Sequence, residues 1–320
     1  LQFFTQFGWM AIFTILFSCL LFIWLGIRLM ITAQEIDAHS YEDLNRHLFG
    51  PVLGRWISLF TLVCLLGIST VMLAGAGSVF EENLHLSYHF GLIFTLFLTY
   101  IIIIKGMDGI LMINSLVVPV MLLFTAIVVL TTLDSPAADR WMHLSTDSPL
   151  WKIWLAPFLY VAFNLALAQA VLVPLGTAIR DRTVLYWGGM MGGVIIGLML
   201  LAGHFALSSR MPGIVQFEIP MGAIIHHLGA NVKLIFAIVI YLEIFTTFLA
   251  DIYGLTTQIR QRVPLRTSTI IVGLLLFCYM VSQFGFSTLL STLYPLFGLV
   301  SLLCFVLIIF KQNPGSVQKP

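Results

Sequence analysis

Charged residues are scarce in this sequence. Asp, Glu, Lys and Arg together make up 9% of its 320 residues, whereas ordinary soluble domains carry about 25%. The formal net charge is +1 and there is no basic run, which argues against a nucleic-acid partner. Hydrophobic residues form 60% of the chain, so a lipid bilayer has to act as its solvent. The composition therefore predicts an all-α integral membrane protein that crosses the cell membrane several times.

Clustered cysteines and the common catalytic motifs are also missing. The four cysteines lie apart within apolar stretches, which is typical of buried thiols and not of metal or disulfide sites. The sequence contains no HExxH, no GxSxG and no clustered acid pair in adjacent spans. We therefore expect no enzymatic activity, no resident metal and no organic cofactor, and an intramembrane enzyme is the weaker alternative.

Long apolar runs dominate what is present. A membrane-spanning helix needs about 20 mainly apolar residues, and nine segments meet this requirement: 8–32, 55–80, 87–105, 110–133, 151–178, 183–207, 232–257, 267–285 and 287–310. Between the first two, Ser40 to Asp43 resembles a capping box and Gly50-Pro51 resembles a stop. We expect a short surface helix there.

The distribution of Lys and Arg predicts the orientation, because these residues favour the cytoplasmic side. Eleven of the fifteen fall on one side of the predicted bundle: Arg28, Arg46, Arg55, Lys105, Arg180, Arg182, Arg260, Arg262, Arg266, Lys311 and Lys319. This side includes the C-terminus, so the tail 311–320 is predicted to be cytoplasmic. Nine spans then place the N-terminus outside. Since the chain opens at Leu1 almost directly before a span, we expect one further helix upstream.

Ten helices with both ends inside suit two inverted repeats of five helices, a plan that many secondary transporters use. On this plan the chain is a single transmembrane domain, 1–320, in which 1–133 supplies helices 2–5 and 151–310 supplies helices 6–10. The first helix of each repeat is often broken at mid-membrane, where its backbone groups bind solute and ion. Segment 151–178 contains Pro157 and Pro174 with Asn164 and Gln169 between them. This pattern favours a broken helix, although membrane helices often contain proline and an asparagine can simply bridge neighbouring helices.

Three stretches resemble YkvI-type bacterial membrane proteins: Leu1-Gln2-Phe3-Phe4-Thr5-Gln6-Phe7-Gly8, Leu159-Tyr160-Val161-Ala162-Phe163-Asn164-Leu165-Ala166 and Val171-Leu172-Val173-Pro174-Leu175-Gly176. The resemblance runs over essentially the whole chain. It implies membership of the amino acid–polyamine–organocation superfamily and a LeuT-like fold. The family pattern has a glycine-rich first helix just before the first of these stretches, which agrees with the helix expected upstream.

Two ionisable residues lie within the seventh predicted span. Glu243, Thr246, Thr247 and Asp251 follow an i, i+3, i+4, i+8 pattern and are predicted to share a helical face. Intramembrane carboxylates are costly and usually face the bundle interior or water. Oxygen ligands of this kind suit Na⁺, and Glu243 is equally a candidate proton carrier. The alternative is a structural role, in which the hydroxyls bond to their own helix backbone.

These patterns predict a secondary transporter for a small organic solute, for example an amino acid, coupled to Na⁺ or H⁺. Asn164 and Gln169 are expected to orient the solute and Tyr160 to line its path. A half-helix dipole near Gln169 would suit a carboxylate. A glycine series in segment 183–207 predicts close helix packing. The alternatives are a non-transporting sensor or channel on a transporter scaffold, or an inactive carrier that lacks its first helix.

Overall fold

The computed structural model describes residues 7–133, 139, 144, 146, 148–209 and 230–284. All regular secondary structure in these ranges is helical. A 3-10 turn, Gly8–Met10, precedes nine α-helices: α1 Ala11–Glu35, α2 Tyr41–Phe49, α3 Pro51–Glu82, α4 Tyr88–Ile103, α5 Met107–Leu133, α6 Leu150–Ala178, α7 Arg182–Ser208, α8 Ala230–Arg262 and α9 Thr267–Ser282. The predicted span 287–310 and the tail 311–320 lie outside the described residues.

The protein is an all-helical membrane protein. Six of the described helices are long and apolar enough to cross a bilayer, namely α1, α3, α5, α6, α7 and α8. Helices α4 and α9 are apolar but have 16 residues each, fewer than the about 20 of a perpendicular span. Eight of the nine predicted segments thus coincide with apolar helices. The count of nine spans stays a prediction.

The short helix α2 forms as the sequence predicts. The Ser40 hydroxyl accepts a hydrogen bond from the Asp43 backbone N–H at 3.4 Å, and the Asp43 carboxylate accepts one from the Ser40 N–H at 3.1 Å. Gly50 ends α2 with φ +83°, a conformation that favours glycine. Pro51 then occupies the first position of α3, where its missing N–H costs no helical bond.

The helices pack in a few extensive pairs. Helix α1 lies against α6 and α7, α3 lies against α8 and α4, and α5 contacts α7 and α8. The largest buried cluster joins α3, α4, α8 and α9. Apolar side chains on the opposite faces, such as Leu116, Leu198 and Met280, remain exposed, as expected of surfaces that contact lipid.

Glycines allow α7 to approach α1 closely. A Cβ atom at Gly189, Gly193 or Gly197 would meet Ile27, Ile23 or Cys19 of α1, respectively. These three glycines are four residues apart, so they form one stripe on the helix. Gly188 and Gly192 have no such neighbour within 4 Å. The stripe of Gly189, Gly193 and Gly197 therefore allows close packing against α1, whereas the stripe of Gly188 and Gly192 borders open space.

Helix α6 is continuous from Leu150 to Ala178, so the predicted break in segment 151–178 is wrong. Pro157 and Pro174 lie near its two ends and leave the middle of the helix without a proline. There, the Asn164 side-chain amide donates to the Tyr160 carbonyl at 2.7 Å. The Gln169 amide donates to the Ala166 carbonyl at 2.9 Å. Both amides bond to the helix from which they project.

Candidate functional site

A cavity of about 990 Å³ lies among α1, α5, α6, α7 and α8. Its described lining is mainly aliphatic, aromatic or glycine, with contributions from Phe22, Gly26, Met121, Phe124, Leu172, Gly188, Gly192, Met199 and Phe236. Thr125, Tyr160, Asn164 and Glu243 supply the polar groups. This volume holds a small organic molecule, since ligand pockets commonly measure about 300–1,000 Å³ and are mostly apolar.

Three of the predicted site residues meet at this cavity. Tyr160 and Asn164 are one turn apart on α6, and Glu243 approaches from α8. The Asn164 side chain is half-buried and the Glu243 side chain is exposed to the cavity. Glu243 is the single charged residue of the described lining. The arrangement can place a cationic group beside a carboxylate while an amide offers directional hydrogen bonds.

Thr246 and Thr247 follow Glu243 on the same helix. Their hydroxyls donate to the Glu243 carbonyl, at 3.1 Å and 3.0 Å respectively. Such back-bonding is common in membrane helices. It occupies the hydroxyl protons and leaves the oxygen lone pairs as acceptors. The two threonines contact the backbone of Glu243 and are not among the residues that line the cavity.

Gln169 lies apart from the other predicted solute-binding residues. It faces a separate cavity of about 80 Å³, whose lining includes Arg28, Asn45 and Thr61. Its amide also contacts the Thr61 hydroxyl at 3.4 Å. Because α6 is continuous, no half-helix begins at Gln169, and the predicted dipole site for a carboxylate is not formed there.

Asp251 is separated from Glu243 as well. Its side chain is 5% exposed, and its Oδ2 atom has no hydrogen-bond partner in the described part of the chain. Asp251 is buried and is not among the described residues that line the large cavity.

A polar cluster at the end of α8 was missed by the sequence analysis. Glu42 of α2 accepts two hydrogen bonds from Arg262 through its Oε2 atom, from Nε at 2.9 Å and from Nη2 at 2.7 Å. Gln258 donates to the same oxygen. Gln261 donates to Asp43 at 3.0 Å. No sequence signal pairs residues more than 200 positions apart, so the contact emerges only from the fold.

Tyr41, the residue before Glu42, is buried. Burial raises the pKa of its phenol well above the usual range, so the hydroxyl stays protonated. In the described residues, that hydroxyl has no hydrogen-bond partner. Tyr41 thus packs as an apolar side chain in the largest buried cluster.

A second group of polar contacts connects the end of α1 with the residues between α6 and α7. The Gln34 amide donates to the carbonyls of Ile179 at 2.6 Å and Arg180 at 3.0 Å. Arg182 donates to the Gln34 side-chain oxygen at 3.2 Å and pairs with Glu35 at 3.1 Å. Both groups of polar contacts lie at the end of the bundle that the Lys and Arg distribution predicts to be cytoplasmic.

A multidentate metal site is absent from the described residues, where no group of three or more His, Cys, Asp or Glu side chains comes together. This absence does not bear on Na⁺ or on a proton, since hydroxyl and backbone carbonyl oxygens also bind hard cations. Glu243, with the oxygens of its neighbouring threonines, offers the kind of ligand that Na⁺ prefers. The expectation that the chain needs no organic cofactor stays a prediction.

Comparison with known proteins identifies two relatives from Bacillus subtilis (strain 168). The uncharacterized membrane protein YkvI is 37% identical over 316 residues, which cover 98% of this chain and 90% of the relative. The uncharacterized protein YyaD is 25% identical over 305 residues, which cover 95% of this chain and 88% of the relative. No family model matches the sequence.

Proposed function

Because this chain belongs to the family of the Bacillus subtilis membrane protein YkvI, we propose that it is a secondary transporter for a small organic solute. The observation that carries the proposal is the cavity of about 990 Å³ with Asn164 and Glu243 in its otherwise apolar lining. An ionisable residue at membrane depth costs at least a few kcal/mol and usually marks a solute, ion or proton pathway.

The arrangement of the helices supports an inverted-repeat plan of the LeuT type. On the five-plus-five plan, α1 corresponds to α7, α3 to α8 and α4 to α9. The paired helices have similar lengths, 25 and 27, 32 and 33, and 16 and 16 residues. The members of each pair also contact one another. Such contacts are compatible with a pseudo-two-fold axis in the membrane plane that passes between the equivalent helices.

Asn164 and Tyr160 would orient the solute, and Glu243 would hold its amine or the coupling cation. A carboxylate suits either Na⁺ or H⁺ as the coupling ion, and the Thr246 and Thr247 oxygens lie one turn further along α8. An amine-bearing solute such as an amino acid fits this lining better than a simple carboxylate, because the described lining contains no Lys or Arg.

Uptake of radiolabelled amino acids into proteoliposomes that contain the full-length protein tests the proposal. We expect uptake driven by an inward Na⁺ or proton gradient, and a decrease of about tenfold to hundredfold in Glu243→Gln, because a charged hydrogen-bond partner is lost. Glu82→Gln is the matched control, since Glu82 is exposed at the end of α3 and should transport normally.

Two results would contradict the proposal. Unchanged uptake in Glu243→Gln would exclude the cavity carboxylate from the pathway. A solute that raises the thermal stability of the protein without being taken up under either gradient would indicate a sensor built on a transporter scaffold.

A further inference from the structure

A pocket of about 410 Å³ opens at the predicted cytoplasmic end of the bundle, between α2, the start of α3 and the end of α8. Its described lining residues are all charged or amide side chains: Glu42, Arg46, Arg55, Gln261 and Arg262. This composition is the opposite of the large apolar cavity. The pocket therefore has the chemistry of a site for a polar, charged ligand.

The charges of this pocket do not balance. Glu42 is paired with Arg262 and also accepts from Gln258, so its charge is already compensated. Within the described chain, Arg46 and Arg55 form no ion pair. Three guanidinium groups and one carboxylate leave a net charge of +2 on the lining. An anion is the ligand that this lining attracts.

The backbone holds the two unpaired arginines together. Gly54 packs so closely that a Cβ atom there would overlap the backbone of Asn45 and Arg46. The Asn45 amide donates to the Ser58 hydroxyl at 3.1 Å and fastens α2 to α3. Arg46 and Arg55 consequently project from a rigid junction of two helices, which lowers the conformational entropy lost on binding.

The surroundings place the pocket at the level of the lipid headgroups. Val52 and Trp56, on the first turns of α3, are 71% and 67% exposed. Exposed apolar side chains of a membrane protein face acyl chains, and tryptophan is enriched at the membrane interface. Arg55 lies between these two residues in the sequence. A lipid whose tails contact Trp56 would bring its phosphate to the arginines.

We propose that this pocket binds the phosphate of an anionic phospholipid headgroup. The planar guanidinium fork matches phosphate oxygens in bidentate geometry. Basic pockets on the cytoplasmic side of membrane helices suit such headgroups. The bound phosphate adjoins the Glu42–Arg262 pair, so the lipid also contacts the tie between α2 and α8. The inference does not depend on the proposed transport activity.

Native mass spectrometry of the full-length protein in detergent tests this site. The probes are phosphatidylglycerol and phosphatidylcholine with identical acyl chains. We expect phosphatidylglycerol to bind more tightly, and the double variant Arg46→Gln/Arg55→Gln to weaken its binding about thirtyfold, at roughly 1 kcal/mol for each arginine. The variant Arg46→Lys/Arg55→Lys should lose less affinity for phosphatidylglycerol, because lysine keeps the positive charge and lacks only the bidentate guanidinium geometry.

The matched control is Arg260→Gln/Arg266→Gln, which removes the same charge from exposed positions at the same end of the bundle. This control should bind phosphatidylglycerol as tightly as the unmodified protein. Equal weakening in the control would overturn the proposal, because it would reveal general attraction by surface charge. Equal binding of the two lipids, or displacement of the lipid by a similar concentration of inorganic phosphate, would overturn the lipid assignment. Thermal unfolding in lipid-free detergent verifies that each variant is folded.

Discussion

At the residue scale, two acidic side chains near the same end of the bundle differ in their surroundings. The Glu42 side chain is 8% exposed and pairs with Arg262. The Glu35 side chain is 49% exposed and pairs with Arg182. Water screens the second pair more strongly than the first. The same substitution at the two positions should therefore lower the free energy of unfolding by different amounts.

Glu42→Gln is expected to lower the free energy of unfolding by about 1–3 kcal/mol, because the buried carboxylate that accepts from Arg262 loses its charge. Glu35→Gln, the control, should cost less than about 1 kcal/mol, as is typical of an exposed pair. Thermal unfolding of the two purified variants in the same detergent measures the difference. Equal losses in stability would contradict the assignment of Glu42–Arg262 as the structural tie.

Helical rotation explains which of the predicted site residues line the large cavity and which do not. Asn164 and Glu243 reach the cavity as expected of polar residues within apolar helices. Gln169 follows Asn164 by five residues, which turns it by about 140° around α6. Asp251 follows Glu243 by eight residues, a turn of about 80°. In a helical bundle, either rotation is enough to turn the side chain towards a different neighbouring helix. Sequence periodicity does not identify which helix that is.

At the element scale, the length of the apolar runs predicted where most helices lie but did not predict where they begin and end. Helix α3 begins at Pro51 instead of 55, because Gly50 and Pro51 both end α2 and start the next helix. Helix α8 continues to Arg262, five residues beyond its predicted end. Its last turns are polar and interact with α2, so hydropathy did not include them.

The two glycine stripes of α7 predict opposite effects of the same substitution. Gly193→Ala should destabilise the protein by about 1–3 kcal/mol, because the new methyl group meets Ile23 of α1. Gly192→Ala should stabilise it by up to about 1 kcal/mol, since no atom lies within 4 Å and alanine favours helix. Thermal unfolding of the pair in detergent checks the sign. A loss of stability in Gly192→Ala would contradict the open space beside Gly188 and Gly192.

At the scale of the whole molecule, apolar length located the spans but not their arrangement. Which helices contact one another, such as α1 with α7 and α3 with α8, is a property of the tertiary packing. The cavity likewise requires five helices, so its existence could not be predicted from any single segment.

The cavity predicts water access at mid-membrane. Asn164→Cys, in a background without native cysteines, should react with a hydrophilic maleimide and should be protected by a transported solute. Leu198→Cys is the control, because Leu198 is exposed on the outer surface of α7 and would face lipid, where the reagent does not enter. A cysteine at position 164 that stays unreactive in every condition would contradict the cavity as a solute site.

The depth of Glu243 has an electrical consequence. It lies 13 residues after the start of α8 and 19 before its end, or about 20 Å and 29 Å along the helix axis. A cation that reaches this carboxylate from either side has crossed roughly half of the transmembrane voltage, worth about 1 kcal/mol per 100 mV. If the coupling cation of the proposed transporter binds at Glu243, its occupancy should depend on the membrane voltage as well as on its concentration.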